Sequence, residues 1–495
     1  MKLSSILLFS ILVLAACNRQ LSVTSSSEPF RPLYHFTPDS GWMNDPNGLV
    51  YYDGEYHLFY QYYPDSTVWG PMHWGHAVST DMVHWNHLPI ALYPDSLGYI
   101  FSGSAVMDLQ NTSGLGDSLN PAMVAIYAYH NQKLADEGRN DFQYQGLAYS
   151  TDKGRTWTKY PGNPVVRNPG IRDFRDPKVT WYEPSKVWIM TLAAADRVQF
   201  YSSPDLLHWK FESEFGQAVG AHGGVWECPD LFELPVAGKE AVKKWVLLVS
   251  INPGAPNGGS GTQYFIGNFD GHRFTWEESN VKWVDYGMDN YAGVTWSNTG
   301  DRRIFLGWMS NWAYAQKVPT HPWRSAMTIP RELSLVLNKD EYLLKSAPVR
   351  EFEKADSLVI ENRQLQASHI RVKAGGDKPE QIILTVSNKK GQKLIAGFDS
   401  GTGELWLDRR TAGISDFDTL FASNVHSVFT GTGSGLFTLD LYIDRCSAEL
   451  FFNGGVYVIT DLIFPRESLD SVNVSSSTGN ADGVEMRIWS VKGNH

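Results

Sequence analysis

The sequence predicts an all-β chain of two modules, a five-bladed β-propeller followed by a C-terminal β-sandwich. Three observations predict it. Helical periodicity is sparse, short runs rich in Val, Ile, Tyr, Phe and Trp recur between Gly, Asn, Asp and Pro turns, and one strand–turn–strand pattern repeats along the first part of the chain. At 495 residues the chain is also too long for one ordinary domain.

The elements follow in order. Lys2 precedes an apolar run over residues 3–16, too short for a comfortable membrane span and suited to a signal h-region. The run ends "LAAC", which resembles the lipobox of bacterial lipoproteins and makes Cys17 the lipidated first residue of the mature chain. An ordinary signal peptide is the alternative. Residues 1–17 are therefore expected to be a lipoprotein signal with its lipidated Cys, and 18–30, "NRQLSVTSSSEPF", a flexible tether. The chain is expected to be exported and anchored to the membrane through Cys17. No acidic cluster follows that Cys, which favours a periplasm-facing protein over surface display. Cys228 and Cys446 are the only other cysteines, so no disulfide framework is implied.

Residues 31–337 are expected to form the propeller. "YHLFYQYYP", "AMVAIYAYH", "VWIMTLAAA", "KWVLLVSI" and "RIFLGWMS" read as strands. Over them lies a repeat: "STDMVHW", "STDKGRTW", "SSPDLLHW" and "NFDGHRFTW" place Asp81, Asp152, Asp205 and Asp270 in turns that lead to a Trp. A recurrence of roughly 50 to 70 residues fits four-stranded blades, about five with the first segment counted. A sandwich with recurrent hairpins is the competing reading. Composition shifts after Arg331, and 338–348 is the expected junction. Residues 348–495, with "QIILTVSN", "FTLDLYIDRCSAELFFNGG" and "EMRIWSV", read as the sandwich.

Composition bounds function. A formal charge of -11 argues against nucleic-acid binding, and no phosphate-cradling loop occurs. No metal-ligand spacing is present, so neither a metal nor another cofactor is expected. Charged residues make up only 19% of the chain while 18 Trp are present; most of these should pack, but aromatic faces also suit sugar rings.

Three carboxylates stand out. In "GWMNDPNGLVYY", Asp45 reads as held in a tight turn in which Pro46 pre-sets φ and Gly48 allows a hairpin. In "RDFRDPKV", Arg175 and Asp176 precede Pro177; in "GGVWECPDLFEL", Glu227 lies between Trp226 and Cys228. Glycoside hydrolysis commonly needs two carboxyl groups in different environments. Glu227 is expected to be raised by desolvation and to serve as acid, Asp45 to stay ionised as nucleophile, and Arg175 to hold Asp176 ionised for binding hydroxyls. Singly, each could be a turn residue, a structural ion pair or a solvated strand end.

"WMNDPNG", "FRDPKV" and "WECPDLF", in this order, resemble the three signature boxes of glycoside hydrolase family 32, the invertases, inulinases, levanases and fructan exohydrolases. The resemblance spans residues 36–331 and implies a five-bladed propeller paired with a sandwich. It implies that Asp45 is the nucleophile, Asp176 the transition-state stabiliser and Glu227 the acid/base. It also implies that Asn44, Gln61, Trp69, Phe101, Ser102, Arg175, Tyr291 and Trp308 bind substrate. The expected partner is a fructan or fructo-oligosaccharide. The stretch "VSTDMVHWNHLPIALYPDSLGYIFSGSAV" looks most like levanases and exo-inulinases, so release of terminal fructose with retention is expected, with endo action or sucrose hydrolysis as alternatives. A non-catalytic fructan-binding protein would have little need of both Asp45 and Glu227.

Overall fold

In the computed structural model the described residues are 28–338, 340–355, 357–358, 365–376, 381–433, 435–477, 483–491 and 493. The signal segment, Cys17 and most of the expected tether lie outside them.

Antiparallel meanders account for the N-terminal module. Strands Gly41–Tyr52, Glu55–Tyr63, His73–Ser79 and Asn86–Leu92 form the first, Tyr99–Asp108 to Thr158–Lys159 the second, and Phe174–Tyr182 to Lys210–Phe215 the third. A ten-stranded sheet holds the meander that starts at Val225–Val236 and the one that starts at Tyr291–Thr295, joined by a parallel bridge between Val236 and Leu335. Trp323–Arg324 pairs in parallel with Gly41–Trp42, so a late strand closes onto the first sheet.

The leading strands, Gly41–Tyr52, Tyr99–Asp108, Phe174–Tyr182, Val225–Val236 and Tyr291–Thr295, pack side by side in that order, and the last returns to the first. This is a β-propeller with the leading strands around its axis. The repeated Asp turns join the third and fourth strands of their meanders. Asp81 Oδ1 accepts from the Val83 and His84 amides, Asp205 Oδ1 from Leu207 and His208, and Asp270 Oδ1 from His272 and Arg273. Each carboxylate thus takes the amides that a tight turn would otherwise leave unpaired.

Two expectations about local structure change. The segment around Asp45 is not a turn: Gly41–Tyr52 is one strand, and its hairpin falls at Asp53-Gly54. The register slips instead between Met43 and Pro46 and again between Asn47 and Val50, so Asp45 sits in a bulge. Gly48, at φ +54°, is required because a Cβ there would stand 2.6 Å from Phe59 Cδ2. The expected junction at 338–348 carries a strand, Glu341–Pro348, paired along its whole length with Arg331–Asn338. Leu343 and Leu344 are buried there, so the hairpin contributes to the propeller's core.

The C-terminal module is a sandwich of a six-stranded and a five-stranded sheet. Strands such as Gln381–Ser387 alternate buried and half-buried positions, the pattern of a sheet with one face on a core. Ile370, Val372, Leu384, Leu405, Leu439 and Leu450 fill the space between the sheets.

The two modules meet through buried charges. Arg331 donates to Asp285 Oδ2 at 2.9 Å and to Glu449 Oε2 at 2.5 Å. His35 bridges Asp444 and Glu449, each at 2.8 Å. Arg409 bonds Asp289 and the Tyr314 hydroxyl. Each charge has a partner of opposite sign, which offsets its desolvation and makes the docking angle specific.

Candidate active site

All five leading strands are bulged at the same level. The out-of-register residues are Asn44-Asp45, Phe101-Ser102, Asp176-Pro177, Cys228-Pro229 and Ala292-Gly293. A bulge bends its strand and re-aims side chains. Here the bulges turn five short segments toward one end of the propeller axis, with Arg175, Glu227 and Tyr291 at their borders.

Asp45 is buried. Its Oδ1 accepts from Asn44 Nδ2 at 2.8 Å, and its Oδ2 accepts from the Ser102 hydroxyl at 2.6 Å. Asn44 is in turn oriented by the Trp42 indole N–H, 2.8 Å from Asn44 Oδ1. Burial raises the Asp45 carboxyl above its ordinary range and the nearby Glu227 charge adds to this, while the Ser102 and Asn44 bonds oppose it. Those two donors favour the ionised form of a carboxyl whose surroundings would otherwise neutralise it.

Asp176 has φ +64°, a left-handed backbone that non-glycine residues seldom adopt. Its Oδ2 accepts from the Cys228 backbone N–H at 3.1 Å. The Cys228 thiol lies 3.5 Å from Asp45 Oδ2 and 3.7 Å from Asp176 Oδ2, so two carboxylates from separate sheets meet at one sulfur. Burial and three neighbouring carboxylates push that thiol well above its usual range, which leaves it a neutral donor.

Glu227 accepts two bonds on Oε1 from Arg175, at 2.9 Å from Nη2 and 3.2 Å from Nε. Its Oε2 accepts from the Tyr291 hydroxyl. Arg175 also donates to Asp173 Oδ1 at 2.6 Å. This corrects the expected pairing of Arg175 with Asp176: the two approach only to 3.9 Å and share no hydrogen bond. The bulge at Asp176-Pro177, with Asp176 in a left-handed backbone, turns its carboxylate to the Cys228 amide and leaves the Arg175 guanidinium to Glu227 and Asp173. Asp176 is accordingly not held in the ordinary carboxylate range. Burial pushes it up to about 7, with the Glu227 and Asp45 charges adding and Arg175 only partly offsetting them. Glu227, expected as the acid, is engaged by a guanidinium and a phenol.

The remaining expected residues fall into two groups. Trp69 and Phe101 are half-buried at the rim, ring centroids 6.1 Å apart, and Phe101 stacks on His130 at 4.4 Å. Gln61 and Trp308 stand behind the wall. Gln61 is buried and spends its Nε2 on the Ile100 carbonyl at 3.0 Å, which ties the first sheet to the Phe101-Ser102 bulge. Trp308 has no exposed surface and is covered by Tyr291, Trp42 and Trp312. Trp308 therefore supports the pocket rather than lining it, a correction to its expected role. The half-buried Trp312, whose ring lies 4.9 Å from Trp308 and 5.9 Å from Trp42, takes the outer position.

Sequence reasoning missed three participants. Cys228 was legible only as a neighbour of Glu227; the contact of its thiol with Asp45 spans 183 residues and leaves no local trace. Asp173 stands two residues before Arg175, but it lies in a bend at φ +57° just before the strand, so only its nearness in sequence was available as a signal. Trp312 sits in "GWMSNW", where nothing distinguishes it from Trp308.

Comparison with known proteins gives a consistent result. "Glycosyl hydrolases family 32 N-terminal domain" matches residues 35–348 and "Glycosyl hydrolases family 32 C terminal" matches 339–490. The chain is 46% identical over 509 residues to a levanase of Bacillus subtilis, covering 98% of this chain and 74% of that protein. It is 37% identical over 511 residues to an extracellular exo-inulinase of Aspergillus ficuum, covering 94% and 95% of the two. Among solved structures, exo-inulinase from Aspergillus awamori superposes with a TM-score of 0.85 at 34% identity, over 94% of this chain and 99% of that one. The β-fructofuranosidase from Schwanniomyces occidentalis complexed with fructosyl-erythritol gives 0.83 at 32% identity, over 95% and 99%.

Proposed function

The chain belongs to glycosyl hydrolase family 32, a family of retaining glycoside hydrolases, and from that premise we propose how its carboxylates divide the work. The enzyme hydrolyses β-fructofuranosidic bonds in fructans. Asp45 attacks the anomeric carbon of a fructofuranosyl unit while Glu227 protonates the departing glycosidic oxygen. The resulting fructosyl ester on Asp45 is then opened by water, from which Glu227 takes a proton, and fructose leaves with its configuration retained.

The observation that carries this assignment is the contrast in partners. Asp45 is fed by two neutral donors, Asn44 and Ser102, that favour a carboxylate without neutralising it. Glu227 shares its oxygens with Arg175 and Tyr291. Tyr291 follows the acid/base through both steps, since its hydroxyl can donate to Glu227 whichever oxygen carries the proton. Asp176, between them, binds ring hydroxyls and stabilises the oxocarbenium-like ring as positive charge develops.

The substrate enters as a terminal fructosyl group, and levan or inulin chains are its source. Trp69 and Phe101 at the rim offer apolar faces to the sugar. The sandwich braces the propeller, a role supported by the buried charges that join them. The chain works outside the cytoplasm, held by a lipid on Cys17 and facing the periplasm; labelled fatty acid should enter the wild type and not Cys17→Ala.

Early digests of levan, inulin and sucrose test the exo reading. Fructose alone supports it, and a ladder of oligosaccharides overturns it. Asp45→Asn tests the nucleophile: it should retain the wild-type melting curve and lose activity by several orders of magnitude. Substantial turnover in that variant would remove Asp45 from the role.

A further inference from the structure

The propeller axis has a second opening. The leading strands other than Gly41–Tyr52 run on past the catalytic bulges, and residues on and beside their later parts, with Trp188 and Arg303, line an open cavity of about 290 Å³ at the other end. Lys178 lies two residues beyond Asp176 and Asp230 three beyond Glu227, so the cavity begins about 7 to 10 Å below the catalytic carboxylates at the rise of a strand. Between the two lies a void of about 10 Å³, too small to join them, bordered by Asp176, Cys228 and Lys178 among others. The lower cavity is therefore a separate compartment from the fructosyl pocket.

Its charges do not balance. Lys178 Nζ lies 3.2 Å from Asp230 Oδ2 and also donates to the Thr295 carbonyl. Asp230 Oδ2 further accepts from the Thr295 amide at 2.7 Å and hydroxyl at 2.8 Å. That pair is complete. Arg303, a second cation on the same wall, has no carboxylate within ion-pair distance and no hydrogen-bond acceptor for its side chain among the described residues. Its Nε is sealed from solvent without a partner, and the guanidinium carbon rests 5.1 Å from the centre of the Phe232 ring. Burial weakens its hold on the proton, and Asp230 is the one charge opposing that effect. Arg303 is half-buried, with its Nε alone sealed from both water and partner, and an anion in the cavity would supply the acceptor that side chain lacks.

The rest of the wall suits a small polyol. Trp181 offers an indole face, while Asn298 and Gln110 stand at the exposed mouth. Asn298 commits its Nδ2 to the Tyr51 carbonyl at 2.7 Å, which fixes the amide and leaves its oxygen available. We propose that this cavity is a second binding site, for a sugar-sized anion whose carboxylate or phosphate pairs with Arg303 and whose hydroxylated body lies along Trp181 toward Asn298 and Gln110. The site is independent of the catalytic reading, since none of these residues touches the three carboxylates.

The test uses the full-length enzyme and intrinsic Trp fluorescence, with gluconate as the sugar acid, inorganic phosphate as the bare anion and glucitol as the uncharged control. Gluconate should give a saturable change that fructose does not displace and phosphate does; glucitol should give none. Arg303→Gln should weaken gluconate at least about tenfold, the factor of one charge-assisted contact, while hydrolysis without gluconate stays at the wild-type rate. Arg303→Lys, which keeps the cation and loses the fork, should fall between the two. No saturable response in the wild type, an equal response to glucitol, or equal affinity in wild type and a folded Arg303→Gln would each overturn the site. Loss of hydrolysis in Asp45→Asn with gluconate binding unchanged would keep the two readings separate.

Discussion

Removing the Ser102 hydroxyl is the sharpest probe of the nucleophile role proposed for Asp45. Ser102 donates to Asp45 Oδ2 at 2.6 Å in a buried setting, the length of a charge-assisted bond. Its loss in Ser102→Ala withdraws a donor that favours the carboxylate, while burial and the Glu227 charge continue to favour the neutral acid. The sign follows. In the proposed mechanism attack needs ionised Asp45, so the variant should lose activity most on the acid side of its profile and recover as pH rises. A hydrogen bond to a charged group contributes about 1.5–3 kcal/mol, which is roughly a 10- to 100-fold fall in kcat/KM on the acid limb. The assay is initial rates on a short fructo-oligosaccharide across pH, with melting curves to confirm the fold. The Cys228 thiol, 3.5 Å from the same oxygen, is too weak a donor to replace the hydroxyl. An acid limb that does not move, or a uniform loss at all pH values, would refute the claim that Ser102 acts on the ionisation of Asp45.

Other perturbations separate chemistry from stability. Tyr291→Phe removes the hydroxyl that reaches Glu227 and should lower kcat roughly 10- to 100-fold with a smaller change in KM; a change confined to KM would make Tyr291 a binding residue only. Asp176→Asn should lose most of kcat/KM while staying folded, and full activity would reduce Asp176 to a structural acceptor for the Cys228 amide. His35 predicts a stability effect away from the site. Although burial opposes its charge, hydrogen bonds to Asp444 and Glu449 raise it to about 9. Because the folded value exceeds the unfolded one of about 6.5, its contribution is fully present below that pH and disappears as pH rises through 9. Denaturant titrations should show roughly 3 kcal/mol lost across that window in the wild type, and no such slope in His35→Gln.

The sequence and the structure agree where local chemistry is decisive and diverge where strand geometry or distant partners are. Alternating apolar runs and Asp turns were readable as meanders because pairing and turn capping act over a few residues. The pocket was readable as three carboxylates, but its geometry was taken for turn chemistry. "NDPNG" has the composition of a turn, yet the aromatic strand before and after it keeps pairing with Glu55–Tyr63 through the slip in register. Pro46 is compatible with that because it has no N–H to lose where the ladder is interrupted. The same reasoning extends to the other leading strands. Pro177 and Pro229 lie inside their bulges, Gly293 inside another, and Gly103 closes the Phe101-Ser102 bulge, where a Cβ would stand 2.2 Å from the Ile126 carbonyl oxygen. A Pro or Gly thus interrupts every strand that delivers a residue to the pocket, and each interruption is a local signal open to sequence. What sequence cannot supply is which guanidinium meets which carboxylate. Arg175 bonds Glu227 across 52 positions and not the adjacent Asp176, because the bulge and left-handed backbone at Asp176 send its carboxylate to the Cys228 amide. The consequence is that the guanidinium is spent on Glu227 and Asp173, and Asp176 receives no hydrogen bond from it.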